Sequence, residues 1–150
     1  MAGDRGGNSP YKNGIIREND PKRGRSKVEF VDEDGTQSYW LRWNMPVAGK
    51  SKFYNQPDIG SQVNCILDHH GEDGVIIGAS FSAGDAPPTQ KGTEMKADLE
   101  GGLDYLYDKA NGALFLRTKG PMTLQCGTST IELQPGQIVI KAAHVQIIKG

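Results

Sequence analysis

The stretch "GEDGVIIGASFSAGDAPPTQ" (Gly71–Gln90) opens as a turn, continues as the apolar segment "GVIIGASF", and leaves through Gly-Asp-Ala-Pro-Pro. Pro87 and Pro88 carry no N–H with which to prolong a strand ladder. Before this exit the chain reads as short strands that fill one core. After it comes a repeat whose apolar side chains are too few per strand to bury one another.

Residues 14–86 hold five expected strands. "GIIREN" leads into the turn "DPKRG". "RSKVEFV" alternates, with Val28 and Phe30 on one face, and "DEDG" (Asp32 to Gly35) has hairpin-turn chemistry. "QSYWLRW" places Tyr39, Leu41 and Trp43 on one face and Trp40 and Arg42 on the other. A long Gly/Pro-punctuated loop, "NMPVAGKSKFYNQPDIG", precedes the two most apolar strands, "SQVNCILD" and "GVIIGASF", which are joined by the glycine-containing turn "HHGEDG". Five strands in about 70 residues, with no helical period, predict a small Greek-key barrel of the OB type. Residues 1–13 are rich in Gly and Asn and read as a flexible N-terminal arm. Residues 87–104 read as a polar linker, either a short helix or a plain loop.

Residues 105–150 carry apolar pairs at period 2: Leu114/Leu116, Met122/Leu124, Ile131/Leu133, Ile138/Ile140 and Val145/Ile147. The pairs start 8, 9, 7 and 7 residues apart, and breaks such as "TKGP", "CGTS" and "QPGQ" lie between them. This is an internal repeat of one short strand and one turn. Ordering each residue costs roughly 1–2 kcal/mol in backbone entropy, and each apolar side chain left in water forfeits about 1.5–3 kcal/mol. A lone chain of this kind would also present long free sheet edges. Three chains wound around one axis, with the ten apolar side chains as their shared core, satisfy both demands. The expected fold is therefore all-β, an OB-type barrel followed by an intertwined, trimeric triple-stranded β-helix or prism. The alternative is a second small meander packed on the barrel.

Composition narrows the function classes. The net charge of −1 gives no general reason to expect nucleic acid or an anionic membrane as partner. The N-terminus has no apolar segment of signal-peptide type, and the longest apolar run is four or five residues, where roughly 18–20 are needed to span a bilayer. Cys65 and Cys126 stand without CxxC spacing and read as free thiols. No Ser-His-Asp, HExxH or GxxxxGK signature occurs, so no enzyme activity and no cofactor are expected. The acids Asp32, Glu33, Asp34, Glu72 and Asp73 sit in turns and read as solvated. His69 and His70, adjacent in sequence, would point to opposite faces of a strand and read as turn residues rather than metal ligands. His144 is the one candidate for an axial metal in a trimer, and otherwise no metal is expected. The rival binding function is single-stranded nucleic acid, because "KRGRSK" and "WLRWNMPVAGKSKFYN" supply the basic and aromatic residues that OB barrels use for it.

Several segments follow one another in a characteristic order: Gly14–Ile16, Arg25–Val28, Trp40–Leu41, Pro57–Val63, Gly74–Gly78 and Asp85–Pro87. With this order, residues 14–88 resemble the baseplate-assembly protein V family, the central spikes of contractile phage tails and related injection machines. The tail resembles that family by pattern alone. The resemblance implies a homotrimer, assembled in the bacterial cytoplasm and located in the virion tail baseplate or an injection particle. Its barrels dock on a baseplate hub protein and its shaft meets the host envelope during contraction. For hub docking, the exposed loops suggest Lys22, Arg23, Arg25, Lys50, Lys52, Phe53 and Tyr54. Some family members end in an HxH apex that holds iron; "AAHVQIIKG" lacks it, which argues against iron at the tip. A short prism with an apolar end implies a separate tip protein of the PAAR-repeat type. The lysozyme domain of some relatives does not fit in 150 residues.

Overall fold

The computed structural model describes residues 9–149, and the chain divides into two units, Met1–Ala86 and Pro87–Gly150. Of the arm expected over 1–13, residues 1–8 lie outside the described residues, and Tyr11–Asn13 are already part of the first strand. That strand start is hidden in the sequence because "YKN" offers no apolar alternation; pairing with Ile66, Cys65 and Asn64 recruits it.

The first unit contains β1 (Tyr11–Asp20), β2 (Arg25–Phe30), β3 (Thr36–Gln37), β4 (Leu41–Trp43), β5 (Gln62–Leu67) and β6 (Gly74–Ala79). Strands β1, β5, β6, β4 and β2 form a ring that closes through β1–β2, and β3 extends β2 beyond it. The β4–β6 pair is parallel and the other pairs are antiparallel. This closed five-stranded barrel agrees with the OB type. One strand closes it by serving two neighbours. The first half of β1 pairs with β5, its second half pairs with β2, and Ile15 faces partners on both sides. A bulge at Arg17 supplies the bend between the halves.

Alternation sets the core. Ser26, Val28 and Phe30 of β2 and Val63, Cys65 and Leu67 of β5 point inward, joined by Ile16, Leu41 and Ile76. Burial pushes the Cys65 thiol up to about 12, so it stays protonated and inert. Tyr39 departs from the expected face. The strand begins only at Leu41, so Tyr39 stands outside the ladder and is 66% exposed, while Leu41 is buried and Trp43 packs against the core. The bend through residues 38–40 breaks the alternation that the sequence suggests. In its place, Ser38 ties this bend to β2: its Oγ accepts from Val28 N at 2.9 Å, and its N–H donates to Val28 O at 2.8 Å.

The second unit is two antiparallel meanders, β7 (Glu94–Leu99), β8 (Leu103–Asp108) and β9 (Ala113–Arg117), then β10 (Met122–Cys126), β11 (Ser129–Gln134) and β12 (Gln137–Lys141). Strand β7 falls inside the segment read as linker, so neither helix nor plain loop describes 87–104. Charged residues alternate there with Met95, Ala97 and Leu99, and the high share of charge disguises the period. Regular strand pairing thus begins at Glu94, ahead of the shaft boundary expected at residue 105.

Two outcomes follow for the barrel. A Cβ at Gly14 would stand 2.4 Å from Val28 Cγ1 and 2.6 Å from Glu29 O, and the backbone oxygen has little room to yield. Gly14→Ala should therefore cost about 1–3 kcal/mol, read as a lower melting temperature; an unchanged melting temperature would mean that β1 does not pass this close to β2. Hydrogen bonds from Arg17 hold the Glu29 carboxyl below its ordinary range, and those from Arg23 do the same for Asp20. A carboxyl depressed in the folded state stabilises above its unfolded pKa, and that contribution is lost as pH falls through the folded value. The melting temperature should therefore decline from about pH 4 downward. Glu29→Gln should flatten that decline, as measured by calorimetry across the acid range.

Candidate docking and assembly faces

Trp43, at the end of β4, gathers one face of the barrel. Its indole N–H donates to Ser26 Oγ at 2.7 Å, and Ser26 in turn donates to the side chain of Asn19. The Trp43 backbone N–H donates to Gly24 O at 3.2 Å, which fixes it beside the β1–β2 turn. Its ring lies 5.8 Å from that of Tyr54 in a tilted arrangement. One tryptophan thus connects the turn that carries Lys22, Arg23 and Arg25 with the loop that carries Lys50, Lys52, Phe53 and Tyr54.

That loop, residues 44–61, has defined backbone anchors. Asn44 N–H donates to Ile76 O at 2.9 Å, and Gly60 N–H donates to Ile16 O at 2.9 Å. The Asn19 amide donates to Pro57 O at 3.1 Å. Between these anchors the chain folds back on itself through the Ala48–Lys52 bridge and a Phe53 N–H bond to Val47 O. The result holds Val47, Phe53, Tyr54 and Ile59 out in solvent. Exposed apolar side chains on an anchored loop suit protein contact.

Three of the basic residues nearby are matched by acids. Arg23 pairs with Asp20 at 2.5 Å, Lys27 with Glu18 at 3.0 Å and Arg42 with Asp73 at 3.2 Å. The Arg23 guanidinium carbon lies 5.5 Å from the centre of the Trp40 ring, and Lys27 Nζ lies 5.0 Å from it. Such contacts are worth roughly 0.5–1 kcal/mol at exposed sites. Trp40 and Trp43 are absent from the docking set suggested by sequence. For Trp40 the available signal was its outward alternation with Arg42. Trp43 has the parity of Leu41 and so reads as plain core.

The second unit presents a different surface. The register aligns Met95 with Tyr107 and Leu114, Ala97 with Tyr105 and Leu116, and Leu99 with Leu103. In the other meander, Met122, Leu133 and Ile138 form one row, Leu124, Ile131 and Ile140 the next, and Cys126 with Ser129 the last. Side chains alternate between faces, so these rows form the more apolar face of each meander, while Leu106 and Phe115 lie on the other face of the first. Behind them stand rows such as Asp98, Asp104 and Arg117, with Asp104 and Arg117 paired at 2.8 Å, and Gln125, Thr130 and Lys141. Of the ten side chains assigned to a shared core, Leu114, Leu116, Met122, Leu124, Ile131, Leu133, Ile138 and Ile140 lie on these faces. Val145 and Ile147 lie beyond the last ladder. Met95, Leu99, Leu103, Tyr105 and Tyr107 complete the first face and were missed, because their strands lie among charged residues. No described residue of this unit is buried; the buried residues among those described all belong to the barrel.

Among the described residues, no group of three or more His, Cys, Asp or Glu side chains is placed to hold a metal. The His69 and His70 rings stack edge to face, 5.1 Å apart, in the β5–β6 turn, and His144 follows β12 outside the ladder. Among the described residues, no helix is long and apolar enough to cross a membrane.

No curated protein matches the chain. Residues 12–81, which span β1 to β6 with only the first residue of β1 left out, match the family described as the type VI secretion system/phage-baseplate injector OB domain. The closed five-stranded ring agrees with this match, which supports the baseplate-assembly protein V family for the barrel.

Proposed function

We propose that the protein is the homotrimeric central spike of a contractile tail or injection-machine baseplate. The family is a structural component of baseplates and is not known as an enzyme. The observation that carries the finer reading is that none of the second unit's described residues is buried despite its two apolar faces. Each of those side chains gains about 1.5–3 kcal/mol when it is covered. Three copies cover them by turning the faces toward a common axis, and the free edges of β7, β9, β10 and β12 are then available to neighbouring chains. Such a shaft resists axial load, because removing one chain means breaking its whole ladder. In the assembled machine the shaft is driven through the host envelope, and a separate tip protein of the PAAR type seats on its C-terminal end.

The barrel attaches the spike to the hub. Phe53 and Tyr54 act as anchors, with Lys22, Arg23, Arg25, Lys50 and Lys52 around them. Single-stranded nucleic acid fits this face less well, because Arg23, Lys27 and Arg42 are already engaged by acids.

Light scattering should return a mass near 49 kDa, three chains of 16.3 kDa. Ile140→Asp would bring three carboxylates together on a dry axis, at an effective penalty of several kcal/mol per buried ion. It should yield monomers whose barrel still melts cooperatively; a variant that still runs as a trimer would remove Ile140 from the core. Phe53→Asp should leave the trimer intact and weaken hub binding at least 30-fold, the scale of an interface anchor, as measured by calorimetric titration.

A further inference from the structure

The barrel face gathered by Trp43 has a charge that the rest of the chain does not share. Its two segments, residues 20–27 and 44–61, hold six of the 17 Lys and Arg residues but only two of the 18 Asp and Glu residues. They carry a net +4, whereas all other residues together carry −5. The near-neutral total conceals this separation. Trp43 keeps the two segments side by side, because its backbone N–H donates to Gly24 O and its ring meets that of Tyr54.

Pairing within the chain leaves most of the excess in place. Asp20 engages Arg23, and Glu18, from outside the two segments, engages Lys27. Among the described residues, no ion pair engages Lys22, Arg25, Lys50 or Lys52. Arg25 reaches only a backbone carbonyl, that of Trp40, at 3.5 Å. The Ala48–Lys52 bridge folds the loop back on itself, so Lys50 and Lys52 are presented next to the exposed Phe53 and Tyr54. A partner that covered those rings with neutral or basic groups would strip water from cations and leave them unpaired, at a high cost. Carboxylates around the contact remove that cost.

We infer that the surface this face receives is an apolar socket with an acidic rim. The socket takes Phe53 and Tyr54, and the rim's carboxylates meet Lys22, Arg25, Lys50 and Lys52. This rests on the hub docking proposed above and adds the chemistry of the hub's contact surface. Nucleic acid offers phosphates to the same cations and bases to the two rings, but stacking leaves the exposed aliphatic side chains of Val47 and Ile59 in water. A protein surface covers all four apolar groups. The two components act at different stages. The cations attract the partner before contact and set the rate of arrival, and the rings are seated only in the finished complex and set the rate of departure.

The test follows the full-length protein binding to the purified hub of the same particle, with association and dissociation rates read at about 0.1 and 1 M NaCl, where the screening length falls from about 10 to about 3 Å. Association should slow about tenfold or more across that range. Lys50→Gln combined with Lys52→Gln should slow association at the lower salt and weaken its salt dependence, with dissociation held within about twofold. Lys50→Arg with Lys52→Arg, which keeps the charge, should behave as the unaltered protein. Phe53→Ala should speed dissociation and leave the salt dependence of association unchanged. Hub binding whose association ignores salt, or is unaltered by the double Gln variant, overturns the acidic rim and leaves hub docking standing. Absence of hub binding overturns both. A thymidine oligonucleotide bound more tightly than the hub at the lower salt assigns the face to phosphates and overturns the acidic protein surface.

Discussion

Apolar surface has to be covered, and the two halves of this chain meet that demand by different means. In the barrel, β1 pairs with β5 and β2 at once, and the ring that results encloses Ile16, Val28, Leu41, Val63, Cys65 and Ile76. That closure depends on the bulge at Arg17 and on the missing side chain of Gly14. The meanders have no equivalent. An antiparallel three-stranded sheet with one apolar face lacks a second layer, and without one the face stays wet.

The parts of this organisation that were legible in the sequence are those where strand and alternation coincide. "RSKVEF" and "QVNCIL" show their inward residues at period 2, and the pairs from Leu114 to Ile140 fall on one face of each meander because their spacing already respects the register. Legibility failed where a residue's role is set by something other than its own strand. Tyr39 has the parity of Leu41, but Ser38 bends the backbone between β2 and β4 and turns it outward. Residues 11–13 are in a strand because β5 offers partners. Met95, Ala97 and Leu99 alternate correctly, yet the charges between them resemble those of an unstructured connector. The docking residues show the same limit. Composition could nominate the basic turn and the aromatic loop separately, but only Trp43, hydrogen-bonded to Ser26 and Gly24 and in ring contact with Tyr54, shows that they share a face.

Ion pairs on the surface contribute little stability, and those around Arg23, Lys27 and Arg42 are no exception. They do hold long side chains in place around Trp40, beside the exposed Phe53 and Tyr54 that the proposed function assigns to hub contact. In the proposed spike, an anchored loop on a closed barrel would give the protein a rigid grip on the baseplate while the machine around it moves.

The absence of any buried residue from β7 to β12 also bears on how the protein comes to exist. The barrel can reach its final form as soon as one chain has left the ribosome, at a rate independent of how many copies are present. On the proposed trimeric reading, the meanders can only do so after encounters between chains, so their rate depends on concentration. Synthesis would first produce a population of finished barrels with waiting tails. Each additional chain made nearby shortens that wait, and co-translation from one message is the arrangement that shortens it most.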